Sequence, residues 1–453
     1  MSAPILSILI LVAMFLLATV LPLNMGALAF VGAFLLGFVF LDMSTDDILA
    51  NFPGGLFLTI VGVTYLFAIA QNNGTIDLLV RGAVRMVGNR VALIPWIMFA
   101  ITAIITAVGA LSPAAVAIVA PIALGFAAKH KINPLMMGMM VIHGAQAGGF
   151  SPIAVYGVTV NGIIGETDLE SSPLAVFLAS LLFNTFIALI LFFVLGGSKL
   201  RSGKVGGFVE EVAQARMNLS SAGRTDVAFK GFGSDIYGPR DPAGDGIQAT
   251  KTRSELFPQI VTIAGLIALA VIALGFKVDV GFVSITIAMV LALVSPQAQK
   301  GAINKISWTT VLLICGMLTF VGVLQEAGTV EYVSDAVVSL GMPLLAALLI
   351  CYIGAVVSAF ASSTAILAAL IPLAVPFLAS GEIGAVGLIC ALAVSSTIVD
   401  VSPFSTNGAL VLANAPEGMD KDRFYKQILS YSGLVVVAGP LVAWLIMVVP
   451  GWL

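Results

Sequence analysis

The sequence predicts an all-α polytopic membrane protein made of two inverted five-span repeats, each with a re-entrant hairpin and a broken helix. Three observations carry that prediction. Of the 453 residues, 60% are hydrophobic and 9% charged, with a mean hydropathy of +1.11, whereas soluble domains are about a quarter charged. Apolar runs of span length, about 20 residues, recur along the chain. The second half also repeats the first at a spacing near 250 residues, far longer than a solenoid period.

Taken in order, the candidate spans cover residues 4–21, 26–41, 56–71, 134–164, 172–196, 256–275, 280–295, 309–325, 384–414 and 428–449. The N-terminal stretch has neither a basic flank nor a small-residue cleavage site, so it reads as a retained first span. Blocks 91–129 and 343–380 are too long for one crossing and carry no polar turn at their centres, only VGALSPAAVA and AFASSTAILA. A loop reaching water would be more polar, so each block reads as a re-entrant hairpin. Residues 1–197 then form the first repeat, 198–255 a polar cytoplasmic linker rich in Gly, Ser, Asp and Arg, and 256–453 the second repeat.

The repeat is visible residue by residue. At an offset of 254, Gly62, Gln71, Gly74, Thr75 and Asp77 meet Gly316, Gln325, Gly328, Thr329 and Glu331. At an offset of 251, SPAAVAIVAPIAL (112–124) meets STAILAALIPLAV (363–375), and Ser151-Pro152 meets Ser402-Pro403. Five crossings per half is an odd number, so the halves must be inverted. With both termini outside a cell membrane, every one of the 20 Lys and Arg residues except Lys277 falls on an inner segment, and the acidic loops DMSTDD and GETDLE fall outside. Cys315, Cys351 and Cys390 lie in apolar runs, which indicates neither a disulfide framework nor a metal site. Nothing in the composition points to nucleic acid, and no cofactor is expected.

Breakers at membrane depth carry the chemistry. Ser112-Pro113, Ser151-Pro152, Ser363-Thr364 and Ser402-Pro403 each read as the start of a new helix, since serine caps and proline is tolerated at the first position. Helix N-termini present free N–H groups and about half a positive charge, so four converging on one place make an anion site without arginine. Asp400 lies alone among acidic residues inside a span, and an ionised carboxylate there costs roughly 3 kcal/mol, which assigns it to a proton, a Na⁺ or a capping role. Its repeat mate is Gly149. His143 is either a proton carrier or a hydrogen-bonded structural group. Asn161, Thr406 and Asn407 follow the second helix start in each half and either reach a ligand or close the break locally. Gly74 and Gly328 read as helix C-caps. An intramembrane serine hydrolase built on Ser112 or Ser363 with His143 is disfavoured, because one histidine cannot serve both serines.

Two hairpins with small polar tips and a following proline (LSPAAVAIVAP, ASSTAILAALIP), each trailed by a broken helix (GGFSPIAVYGVTVNG, VDVSPFSTNG), resemble the ion transporter superfamily. The resemblance is closer to the divalent-anion/sodium symporters and, through GGFSPIAVYG, to MatC-type dicarboxylate (malonate) carriers, and it spans nearly all of the chain except 198–255. It implies no enzymatic step, a homodimer moving by an elevator-like mechanism, and a small dicarboxylate held with its coupling cation at the tips and breaks. Ser112, Pro113, Ser151, Pro152, Asn161, Ser363, Thr364, Ser402, Pro403, Thr406 and Asn407 are then candidate substrate contacts. Asp400, Ser112, Gly149, Ser362, Ser363 and His143 are candidate cation-coupling positions. Such symporters carry Ser-Asn-Thr at both tips; here the matching positions read Leu111-Ser112-Pro113 and Ser362-Ser363-Thr364, which leaves both Na⁺ and H⁺ open as the coupling ion. A cation/proton antiporter of the same superfamily, exchanging at Asp400, is the alternative.

Overall fold

A computed structural model describes residues 2–21, 23–85, 90–165, 167, 169–200, 253–276, 278–329, 331–333, 342–359, 363–379, 383–416 and 419–451. The described residues are helical throughout, with no strand among them. The first half contains α1 (Ala3–Val20), α2 (Met25–Phe34, continued by a π-helical turn Leu35–Phe40), α3 (Gly54–Asn72), α4 (Thr75–Arg85), α5 (Ile94–Ala107), α6 (Ser112–His130), α7 (Pro134–Gly149), α8 (Val155–Gly165) and α9 (Pro173–Val194). The second contains α10 (Arg253–Phe276), α11 (Val280–Val294), α12 (Trp308–Glu326), α13 (Pro343–Ser358), α14 (Ser363–Ala379), α15 (Ala385–Ile398), α16 (Thr406–Ala413) and α17 (Lys421–Met447). Most of the linker 198–255, together with Ser362 and Lys277, lies outside the described residues.

Seven stretches among the described residues are long and apolar enough to cross a membrane: Gly54–Asn72, Ser112–His130, Pro173–Val194, Leu256–Ala273, Trp308–Glu326, Ala385–Ala413 and Lys421–Met447. The chain is a multi-pass membrane protein. Both predicted hairpins are split where the small polar tips fall, α5 from α6 and α13 from α14. At about 1.5 Å per residue, α5 and α13 run only about 21 and 24 Å, short of a hydrocarbon core of about 30 Å. Although α6 is long enough to cross, its first residue Ser112 is 3% exposed inside the protein.

The duplication is written into the helix boundaries. Shifting α3 by 254 residues gives α12 end for end, and shifting the first residues of α6 and α8 by 251 gives those of α14 and α16. Packing repeats with exchange of halves: α2 lies on α12 as α11 lies on α3, and α6 meets α16 as α14 meets α8. The first two pairs cross so closely that a Cβ on Gly316 would stand 2.0 Å from the Gly26 carbonyl oxygen, and one on Gly62 would stand 2.8 Å from the Gly281 oxygen. Gln146 donates from Nε2 to the carbonyl of its own repeat mate Thr397 at 2.8 Å, so the local two-fold axis passes between α7 and α15. As predicted, α3 and α12 end on left-handed glycines, Gly74 (φ 76°) and Gly328 (φ 69°), whose N–H groups return to Gln71 and Gln325.

The buried side chains separate into an inner bundle and a framework. One large cluster joins α5–α9 with α13–α17, so hairpins and broken helices of both halves share one core, and it takes in Phe67, Ala70, Ile76 and Val80 of α3 and α4; a small cluster packs Val155 of α8 on Ile60 of α3 and Val311, Ile314 and Cys315 of α12. A second joins α1, α2 and α12 and touches α14 through Ala365, Ala368 and Ala369. A third joins α3, α10 and α11. The ends of α3 and α12 are tied into the framework by Asn73 Nδ2 donating to Thr262 Oγ1 at 2.6 Å and by the Ser7–Thr329 hydroxyl pair at 2.6 Å.

Candidate functional site

Helices α6 and α14 begin where the sequence places helix starts, at Ser112 and Ser363, but Ser112 is not the cap. Leu111 occupies the cap position, Ser112 and Pro113 are the first two helical residues, and the Ser112 hydroxyl is turned to another use. It accepts from Asn407 Nδ2 at 2.8 Å, a buried contact across the two halves. Next to the mated position, the Tyr156 hydroxyl stands beside the Thr364 side chain. Tyr156 and Asn407 are repeat mates at an offset of 251, as are Pro113 and Thr364. Two pairs of helix N-termini therefore meet, α6 with α16 and α14 with α8, each a hairpin tip against the opposite half's broken helix.

The other two predicted helix starts need correction. Ser151-Pro152 and Ser402-Pro403 do not open α8 and α16; they sit in a turn, and the helices begin three residues later at Val155 and Thr406. The cause is a local hydrogen bond repeated in both halves. The N–H groups of Ala154 and Ser405 donate to the carbonyls of Ser151 and Ser402, at 2.8 and 3.0 Å, which closes a turn before the helix resumes. Ser405, not Ser402, is the side-chain cap, accepting from the Gly408 N–H at 3.3 Å while its own hydroxyl donates to the Asp400 and Ser402 carbonyls. Only glycine fits two residues into each helix. A Cβ on Gly157 or Gly408 would stand 2.0 Å from the Ser151 or Ser402 carbonyl oxygen. These bonds pair part of the backbone freed by each break inside the protein.

Asp400 joins the two N-terminal pairs. It is 7% exposed, in a single turn of 3-10 helix after α15, and its carboxylate stands beside the Ser363 hydroxyl at the α14 tip. Ser363 also shares a hydrogen bond with Ser358 at 2.8 Å. The contact chain thus runs from Ser112 through Asn407 and the 402–405 turn to Asp400, Ser363, Thr364 and Tyr156, and Tyr156 lies on Gly149 and Phe150. All four predicted serine positions gather at one place. Residues 132–198 and 343–420 contain no Lys or Arg, so the positive potential there comes from helix N-termini alone, each carrying about half a charge. The Asn407 Oδ1 atom is buried with no hydrogen-bond partner.

Three predicted positions stand apart from this cluster. Asn161 lies six residues into α8, about 9 Å along the axis from the break, and its Nδ2 is buried without a partner there. Thr406 opens α16 but is exposed, like Phe404, while Ser405 and Asn407 between and beside them are buried. His143 is fully buried between α7, α9 and α17: its Nδ1 faces Asn184 Oδ1 at 2.8 Å and its Nε2 faces the Tyr431 hydroxyl at 2.6 Å. Since Asn184 donates its own Nδ2 to Ser180, its Oδ1 must accept, which puts the imidazole proton on Nδ1. Both ring nitrogens are engaged, and neither meets a serine. The sequence reading missed Tyr156, an aromatic in an apolar run; the signal that finds it is its register with Asn407.

Residues 1–149 match the family model described as the N-terminus of dicarboxylate carrier protein MatC. No curated protein matches the chain. Among solved structures, the YdaH transporter of Alcanivorax borkumensis superposes with a TM-score of 0.54 and 16% sequence identity, covering 90% of this chain and 88% of that one. Its described topology is unusual, and at that identity the likeness is one of fold. In sequence over its first third the chain is similar to the MatC dicarboxylate carriers, in fold over most of its length it is similar to a transporter, and both likenesses are consistent with a MatC-type carrier.

Proposed function

We propose that the chain is a secondary active transporter of small dicarboxylates of the malonate or succinate type, coupled to a cation. The observation that carries this reading is the meeting of four helix N-termini at the hairpin tips and breaks in the absence of any Lys or Arg side chain. Converging helix N-termini give a dianion positive potential without a cationic side chain. Ser112, Ser363, Thr364 and Tyr156 supply hydroxyls, and the turns 151–154 and 402–405 supply backbone, so the carboxylates of a short diacid are received by neutral donors. Pro113, Pro152 and Pro403 remove N–H groups where none is needed and fix the local bend.

The two-body packing supports an elevator-type movement. Most of the inner core is built from α5–α9 and α13–α17, which carry the whole site, while α1, α2, α10, α11 and α12 supply most of the surrounding framework and α3 packs on both. Where α14 meets α12, the inner bundle presents Ala365, Ala368 and Ala369, small side chains that slide past a neighbour at little steric cost. On this reading a homodimer in the cell membrane anchors the frameworks, both termini lie outside, residues 1–197 and 256–453 are the inverted halves, and the linker 198–255 is cytoplasmic.

The test is uptake of labelled malonate and succinate into proteoliposomes under a Na⁺ gradient, a pH gradient, both and neither. Saturable uptake that collapses with the cation gradient is the expected result. No uptake under any gradient, with cation exchange intact, would overturn the dicarboxylate reading in favour of the antiporter.

A further inference from the structure

A groove along the first turns of α17 shares no residue with the cluster at the breaks. Its volume of about 660 Å³ lies within the range of ligand pockets, about 300–1,000 Å³, and Leu135 at the start of α7 forms part of its wall. Tyr431 lines it too, and that side chain is fixed: its hydroxyl is tied to His143 Nε2 at 2.6 Å, and the two rings meet edge to face at 89°.

The order of side chains along this face follows the depth of a membrane leaflet. Arg423, Gln427, Ser430, Leu434 and Val437 recur at alternating spacings of four and three, so they share one stripe of the helix. The stripe begins charged, continues polar and turns apolar at Leu434 and Val437, which are 64% and 65% exposed on a helix long enough to cross the membrane. From Asp420 to Leu434 the groove runs about 21 Å along the axis. A headgroup layer is only about 5–8 Å deep, so the far end of the groove lies in hydrocarbon. A small soluble ion would meet only the charged end, whereas an amphiphile covers both.

The charged end is of mixed sign. Asp420 and Asp422 stand with Arg423 and Lys426 within about 9 Å of helix, and among the described residues no salt bridge joins any of the four to another side chain. Asp420 Oδ1 accepts from the Arg423 N–H as the cap of α17, while Asp422 has no such task. Phosphate oxygens accept from Arg423 and Lys426, and a primary ammonium donates to the carboxylates. A purely anionic headgroup would be repelled by Asp420 and Asp422, and a quaternary ammonium has no N–H to give them.

We propose that this groove binds one phospholipid whose headgroup carries both a phosphate and a primary ammonium, of the phosphatidylethanolamine type, with an acyl chain along Leu434 and Val437. Such a lipid is held whatever the cargo, because the groove and the proposed anion site are separate. The experiment is native mass spectrometry of the full-length protein titrated with dioctanoyl phosphatidylethanolamine, phosphatidylcholine or phosphatidylglycerol. One equivalent of phosphatidylethanolamine should bind per chain, at least about tenfold more tightly than either other lipid, and be lost in the Arg423→Gln/Lys426→Gln double variant. Asp422→Asn should move the preference from phosphatidylethanolamine to phosphatidylglycerol. Equal binding of the three lipids, no saturable binding, a wild-type preference for phosphatidylglycerol or an unchanged order in Asp422→Asn would each overturn the proposal. Soluble glycerophosphoethanolamine binding as tightly as the lipid would overturn it too. The substituted residues are exposed at the end of α17, and an unchanged thermal midpoint checks that each variant keeps its fold.

Discussion

Single residues decide whether the breaks exist. Gly408 has no room for a side chain, because a Cβ would stand 2.0 Å from the Ser402 oxygen and 2.8 Å from the Val401 oxygen. Gly408→Ala must therefore open the 402–405 turn, at a cost of about 3 kcal/mol, and a thermal-denaturation assay in detergent should show a clear fall in midpoint. An unchanged midpoint would mean that the turn tolerates a different geometry. Ser112→Ala acts differently. It strands the buried Nδ2 of Asn407, which costs about 1–3 kcal/mol, and it removes a hydroxyl from the proposed anion site. Malonate affinity, read by equilibrium binding, should fall about tenfold or more, with partial recovery in Ser112→Thr. Sequence alone located Ser112 and Ser363 because a small polar tip between two apolar limbs is visible in one dimension. It misplaced the starts of α8 and α16 because Ser-Pro also opens a turn, and the backbone bonds of Ala154 and Ser405 that decide between the two leave no composition signal.

At the scale of helices, the informative contact is the alanine face of α14 on α12. Ala368 is fully buried there. If the inner bundle slides along that face, Ala368→Phe should jam it by overpacking, worth about 1–3 kcal/mol. The readout is a split: proteoliposome uptake drops more than about tenfold while equilibrium malonate binding stays within a factor of about three. Equal loss of both would show that the face is a fixed core contact. The pairing of hairpin tips with the opposite half's broken helix could not be read from the sequence. An offset of 251 says which positions are mates, yet only three dimensions show that Asn407 answers Ser112 and Tyr156 answers Thr364. His143 illustrates the same limit, since its partners Asn184 and Tyr431 lie 41 and 288 residues away.

For the whole molecule, composition and the repeat made the architecture legible: each of the ten predicted spans ends within a few residues of the end of a described helix, because membrane helices must be apolar along their full length. The orientation proposed from charge is directly testable. With the buried native cysteines left in place, Glu170→Cys should react with a membrane-impermeant maleimide in intact cells, whereas Lys300→Cys should react only after permeabilisation. The reverse pattern would invert the topology. The central claim is that helix N-termini, and no cationic side chain, hold the dianion. A structure of the malonate complex tests it most directly: the account predicts density between the Ser112 and Ser363 tips and the 151–154 and 402–405 turns. Density instead in the open groove beside Arg423 and Lys426 on α17 would contradict it.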